Sequence, residues 1–175
     1  MYAAHEIAYL KILLILGYPE PLDLWLDERL QAENPLSELV LSLSFCRSDR
    51  NKSLSALNEY LADKEIDEEK LAAKFRNLVL AAFEKDEEKL EELLNFMYAV
   101  SIHVPTPHKV CWFEFGYLGE YYEEIRTGYW QYSLSDFKKA FRQWLISGEA
   151  FFIAPLTNKP SFLQRLFHKI FGKRA

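Results

Sequence analysis

The stretch Ala4-His5-Glu6-Ile7-Ala8-Tyr9-Leu10-Lys11-Ile12-Leu13-Leu14-Ile15-Leu16, followed by Gly17, decides the fold. It reads as a helix that is apolar nearly all round, with a glycine placed to end it. A helix without a polar face has none to give to water, so it belongs at the centre of other helices. The same stretch could pass for the core of a signal peptide. His5, Glu6 and Lys11 argue against that, because a signal peptide needs a basic start, an uncharged apolar run and a small-residue cleavage site. No apolar run reaches the roughly 18 to 20 residues that a membrane-spanning helix requires. A soluble, cytoplasmic protein is the expectation.

Outward from this helix, Pro19 and Pro21 restart the chain into Leu22 to Leu30, where Leu22, Trp25, Leu26 and Leu30 fall at helical spacing. That is an αα-hairpin. Asn34 before Pro35 predicts a third helix from Pro35 to about Phe45, because Asn caps a free N–H and Pro suits the first helical position. Its inward residues are Leu36, Leu39, Val40 and Leu43. Arg47 to Lys52 reads as a polar break, and Ser53 to Leu61 as a fourth helix closed by the charged run Ala62 to Glu65. Asp67, Glu68 and Glu69 open the next helix, and Asp86, Glu87 and Glu88 the one after it. Both triplets read as solvated acids that complement the helix dipole. The stripes Leu71, Phe75, Leu78, Val79 and Leu90, Leu93, Leu94, Met97, Val100 face inward.

Pro105 and Pro107 break the helical run within Val104 to Lys109, which marks a possible subdomain boundary at 104–109. Ser133 to Ile146 is a further helix, with Leu134, Phe137, Phe141, Trp144 and Leu145 on one face and Gly148 closing it. Six glycines and few β-branched runs point the same way. The expected fold is all-α: one domain over 1–175, with about seven to nine helices as successive antiparallel helical hairpins around one core. A chain of 175 residues, half of them apolar, is long enough to bury such a core.

A formal charge of −5 and a pI near 5.5 argue against nucleic acid, whose phosphates need many cations, and for a basic protein partner. Cys46 and Cys111 show no paired spacing, so no disulfide framework is indicated and a reducing interior suits the chain. Gly-rich phosphate loops, the Walker lysine motif and the Gly-x-Ser-x-Gly elbow are all missing, so no enzyme activity and no cofactor are assigned. His103, His108 and Cys111, with Glu114 nearby, carry the side chains that bind zinc. Their spacing matches no standard site, and the plainer reading is a loop pair of histidines beside a small buried thiol, so no metal is assigned. Glu91 with Glu92, and Glu123 with Glu124, read as solvated, since acid–base work needs one carboxyl raised by burial.

The functional signal lies in Trp112 to Tyr132. Trp112, Phe113, Phe115, Tyr117, Tyr121, Tyr122, Tyr129, Trp130 and Tyr132 crowd this stretch, and Glu114, Glu120, Glu123 and Glu124 stand against the single cation Arg126. One helix face does not hide so many rings, so Tyr121, Tyr122, Tyr129 and Trp130 should divide between core and surface. The candidate contact set is Glu120, Tyr121, Tyr122, Glu123, Glu124, Tyr129 and Trp130. Its acids would speed encounter with a basic partner, and its rings would slow dissociation.

The end of the chain differs in kind. From Ser161, Phe162, Leu163, Leu166, Phe167, Ile170 and Phe171 line one side of a helical pattern while Arg165, His168, Lys169, Lys173 and Arg174 take the other. No Asp or Glu follows Glu149. Phe162, Arg165, Leu166, Lys169 and Ile170 are its candidate contacts. As a nucleic-acid contact this basic amphipathic segment, 161–174, lacks a surrounding basic surface, which leaves two roles. It docks on the acidic body, or it makes the protein a peripheral adaptor that attaches to an anionic membrane or to a groove on another protein.

In size, acidity, lack of catalytic motifs and mixture of acids with aromatics, the chain resembles the small helical immunity proteins of bacterial toxin systems. The segment Phe115-Gly116-Tyr117-Leu118-Gly119-Glu120-Tyr121-Tyr122 is similar to the Gly- and Tyr-rich acidic elements found in some of them. The resemblance implies a protein that neutralises a cognate toxin by covering or distorting its active site. It assigns no individual residue.

Overall fold

The computed structural model describes residues 2–107 and 109–153. Among the described residues the chain forms eight α-helices and no strand. They are α1 (Ala4–Ile15), α2 (Glu20–Ala32), α3 (Glu38–Cys46), α4 (Arg50–Leu61), α5 (Glu68–Lys85), α6 (Leu90–His103), α7 (Phe113–Arg126) and α8 (Leu134–Ser147).

Helix α1 is central, as its composition requires. It packs on α2, α4, α5 and α6, and buries Ile7, Ala8, Leu10, Ile12, Leu13 and Leu14. Gly17 ends it in the left-handed region, at φ +91°, which lets the amides of Gly17 and Tyr18 turn back to donate to the carbonyls of Leu14 and Leu13. Consecutive helices touch within α1–α4 and again within α5–α8. Across the connection 62–67, α4 and α5 both pack on α1, so the first helix joins the two groups.

In the second group α5 takes the inner position, against α6, α8 and the short 3-10 turn Val110–Trp112. Its apolar stripe is Leu71, Ala72, Phe75, Val79 and Phe83. A chain of rings joins the elements here. Phe75 meets Trp112 at 6.4 Å between centroids, Trp112 meets Phe115 at 5.0 Å, Phe115 meets Trp144 at 5.4 Å, and Phe83 meets Phe141 at 5.3 Å. All four contacts are edge-to-face, the geometry the ring quadrupole favours. The buried residues on either side of the Pro105–Pro107 connection belong to one apolar cluster, Val104 and Trp112 included.

Several boundaries differ from the sequence reading, each for a local reason. Helix α3 begins at Glu38, with Ser37 rather than Asn34 at the capping position. The Glu33 carboxylate accepts from the Ser37 N–H at 3.2 Å and from the Tyr2 hydroxyl, which holds 33–37 as a turn of its own. Helix α4 begins at Arg50, inside the stretch read as a polar break, because Asp49 caps it and accepts from the N–H groups of Asn51 and Lys52. Leu78 and Leu134, read as inward, are exposed. Glu68, read as a solvated acid, is buried.

Candidate functional site on the outer face of α7

Helix α7 carries the aromatic stretch, and its 3.6-residue period divides the rings. Phe115, Leu118 and Ile125 are buried, and Tyr122 lies half-buried on the same side with its ring 5.6 Å from that of Phe137. Phe113, Tyr117, Glu120, Tyr121 and Glu124 share the opposite face, the three rings four residues apart in turn and the two carboxylates four residues from each other. Phe113 and Tyr117 stack at 4.4 Å, and both are exposed. Large rings and two carboxylates therefore alternate along one outer stripe.

The turn after α7 extends this stripe. Gly128, at φ +79°, brings the chain round so that its amide donates to the Ile125 carbonyl and the Tyr129 amide to that of Glu124. Trp130 then folds back onto the helix, where its indole N–H donates to Glu124 Oε2 at 2.5 Å. The indole is held in one place yet remains 45 % exposed. Tyr129, 76 % exposed, meets it edge-on at 5.8 Å. Chain beyond α8 returns to the same spot. Phe151 lies parallel to Tyr121 at 6.4 Å, and its amide reaches Glu114 at 3.4 Å. Tyr121, Ile125, Trp130, Tyr132, Phe151, Phe152 and Ile153 together line an open apolar groove of about 240 Å³. Phe152 on its rim is 71 % exposed.

Five of the seven candidate residues thus come together: Glu120, Tyr121, Glu124, Tyr129 and Trp130. Two do not. Tyr122 faces inward and borders a different pocket with Leu134, Lys138 and Arg142. Glu123 is turned to Arg126, whose guanidinium donates to it at 2.8 and 3.0 Å and has its pKa raised by that carboxylate. Sequence reasoning missed Phe113 and Tyr117 as surface residues, although their i, i+4, i+8 spacing with Tyr121 carried the signal. It also missed Phe151, Phe152 and Ile153. Their part in the site comes from tertiary return of the chain, which no local pattern announces.

A second polar assembly lies inside the second group of helices. Glu68, 5 % exposed, accepts from the Trp112 indole N–H at 2.6 Å and from the Thr106 hydroxyl at 2.7 Å. One donor takes each oxygen, so the carboxylate ties the 104–112 connection to α5. Beside it, burial and the carboxylates of Glu69 and Glu68 push the Cys111 thiol up to about 11. Burial also lowers the Arg76 guanidinium, against the attraction of Glu69, Cys111 and Glu114. His103 stands exposed at the end of α6, and His108 lies outside the described residues. Among the described residues no three His, Cys, Asp or Glu side chains are grouped to hold a metal ion.

The C-terminal candidates Phe162, Arg165, Leu166, Lys169 and Ile170 also lie outside the described residues. No helix among the described residues is long and apolar enough to cross a membrane. Comparison of the chain with models of protein families, with curated proteins and with solved structures finds no match.

Proposed function

We propose that the protein is a binding module that holds a basic protein partner against the outer face of α7, and that it is of the immunity type, neutralising a toxin by covering it. The observation that carries this reading is the outer stripe. Phe113, Tyr117, Tyr121, Tyr129 and Trp130 are exposed there beside Glu120 and Glu124. Monomeric surfaces scatter single apolar residues, whereas grouped rings rimmed by charge mark contact sites. Tyr and Trp are well suited to anchor such contacts, because a rigid ring buries much area for few frozen torsions. The Glu124 bond to Trp130 orients that ring before any partner arrives, which lowers the ordering cost of binding.

The immunity form makes a specific demand on the neighbouring gene in the native source. Its product should be basic, should arrest growth when expressed alone, and should be tolerated when this chain is expressed with it. The Tyr121→Ala/Trp130→Ala chain should fail to protect while keeping its helical circular dichroism. Full protection by that double variant would refute the assigned surface. A neighbouring product that leaves growth untouched would refute the immunity form and leave the binding surface to be tested separately.

A further inference from the structure

We propose that the outer face of α7 has an occupant in its own chain: the basic amphipathic segment 161–174 lies over the groove and the aromatic stripe in cis, and a partner must displace it. This rests on the binding reading above and gives that site a regulator. Charge, reach and pattern carry it together.

Residues 154–175 hold five Lys and Arg and no acid. The 26 Asp and Glu of the chain therefore all lie within residues 1–153 with the other sixteen Lys and Arg, which gives that part a net −10 against +5 for the rest. The segment has the charge and the apolar side chains that the α7 face would select in a partner. Glu120 and Glu124 stand where Arg165 and Lys169 could answer them, and Tyr121, Trp130 and Phe152 offer a surface for Phe162, Leu166 and Ile170.

Reach is favourable because the last described residues, Phe151 to Ile153, themselves line the groove. The spacer Ala154 to Ser161 spans at most about 28 Å, which keeps the start of the segment within reach of the site. Read as the helix its spacing predicts, 161–174 is about 21 Å long, and α7 from Phe113 to Glu124 is about 18 Å. The two match in length. Tethered so closely, the segment has an effective concentration on the order of millimolar, enough for a weak contact to keep the site covered.

The test uses the full-length chain and a fluorescent peptide of residues 159–175 as the probe in trans. In Leu166→Asp/Ile170→Asp the cis segment should lose its grip, and the peptide should bind at least about tenfold more tightly than it does to the wild type. The charge-reversed Lys169→Glu/Lys173→Glu chain, which leaves the apolar side intact, should show the same gain, so a folding defect in one variant does not decide the matter. Adding Trp130→Ala to either variant should abolish peptide binding. Equal peptide binding by wild type and both variants would overturn the proposal, as would binding indifferent to Trp130. So would a wild type that pellets with phosphatidylserine vesicles through Leu166 and Ile170, or one whose dimerisation depends on them, since the segment would then be engaged elsewhere. None of these failures touches capture of a basic partner by the α7 face, which has its own test.

Discussion

Glu68 shows how much one residue can depend on its distant neighbours. As the second acid of a triplet at a helix start, it has every local mark of a solvated, dipole-complementing group. The structure instead places Trp112 and Thr106 on its two oxygens, 44 and 38 residues away in sequence. Glu68→Ala would leave the buried indole N–H without an acceptor, at a cost of about 2 to 3 kcal/mol. Glu68→Gln, which keeps one acceptor, should cost less. Urea unfolding of the three chains checks the order, and an alanine variant as stable as the wild type would contradict the assigned bonds. Glu124 and Trp130 form the exposed counterpart, a carboxylate that positions a ring at the surface.

At the scale of elements, the helix starts carry a pH dependence. Asp49 and Asp67 sit at capping positions and Asp136 closes a capping box three residues after Ser133, and each carboxyl is held below its ordinary value near 3.8. The leading causes are the Lys52 backbone N–H for Asp49, the Lys70 side chain for Asp67 and the Ser133 hydroxyl for Asp136. As pH falls, the unfolded chain takes up these protons first. Their contribution is therefore complete above the ordinary carboxyl range and is lost as pH drops through the lower folded values. These groups face solvent, so each effect is small and weakens with salt. The urea midpoint should fall between about pH 4 and pH 2, and Asp49→Asn/Asp67→Asn/Asp136→Asn should flatten that fall. An unchanged slope in the triple variant would contradict the capping assignment. The Ser133–Asp136 capping box was within reach of the sequence reading, which placed that helix to within a residue at either end. The start of α3 was not, because it depends on Tyr2 and Glu33 meeting across 31 residues.

For the whole molecule, the all-α class was legible from α1 alone: an apolar helix with no face for water has to be surrounded, and four other helices surround it. The division of the aromatic stretch between core and surface was also legible, because nine rings exceed one helix face. What could not be read was the groove. It exists because chain after α8 comes back to α7 and sets Phe151 beside Tyr121, a contact across thirty residues without a periodic trace. The molecule also separates its charge, with the acids confined to residues up to Glu149 and a surplus of cations after them. On the proposed reading, long-range attraction to a basic partner would be a property of the body as a whole, while the hold would belong to the rings of one face.

Capture of partners from the native source on the tagged full-length chain, with salt raised from about 50 to 200 mM, tests this central claim most directly. The expected result is a basic protein that associates more slowly as salt rises and whose affinity falls at least about thirtyfold, roughly 2 kcal/mol, in Trp130→Ala at unchanged circular dichroism. A captured partner that is acidic, or one held equally well by wild type and Trp130→Ala, would contradict it.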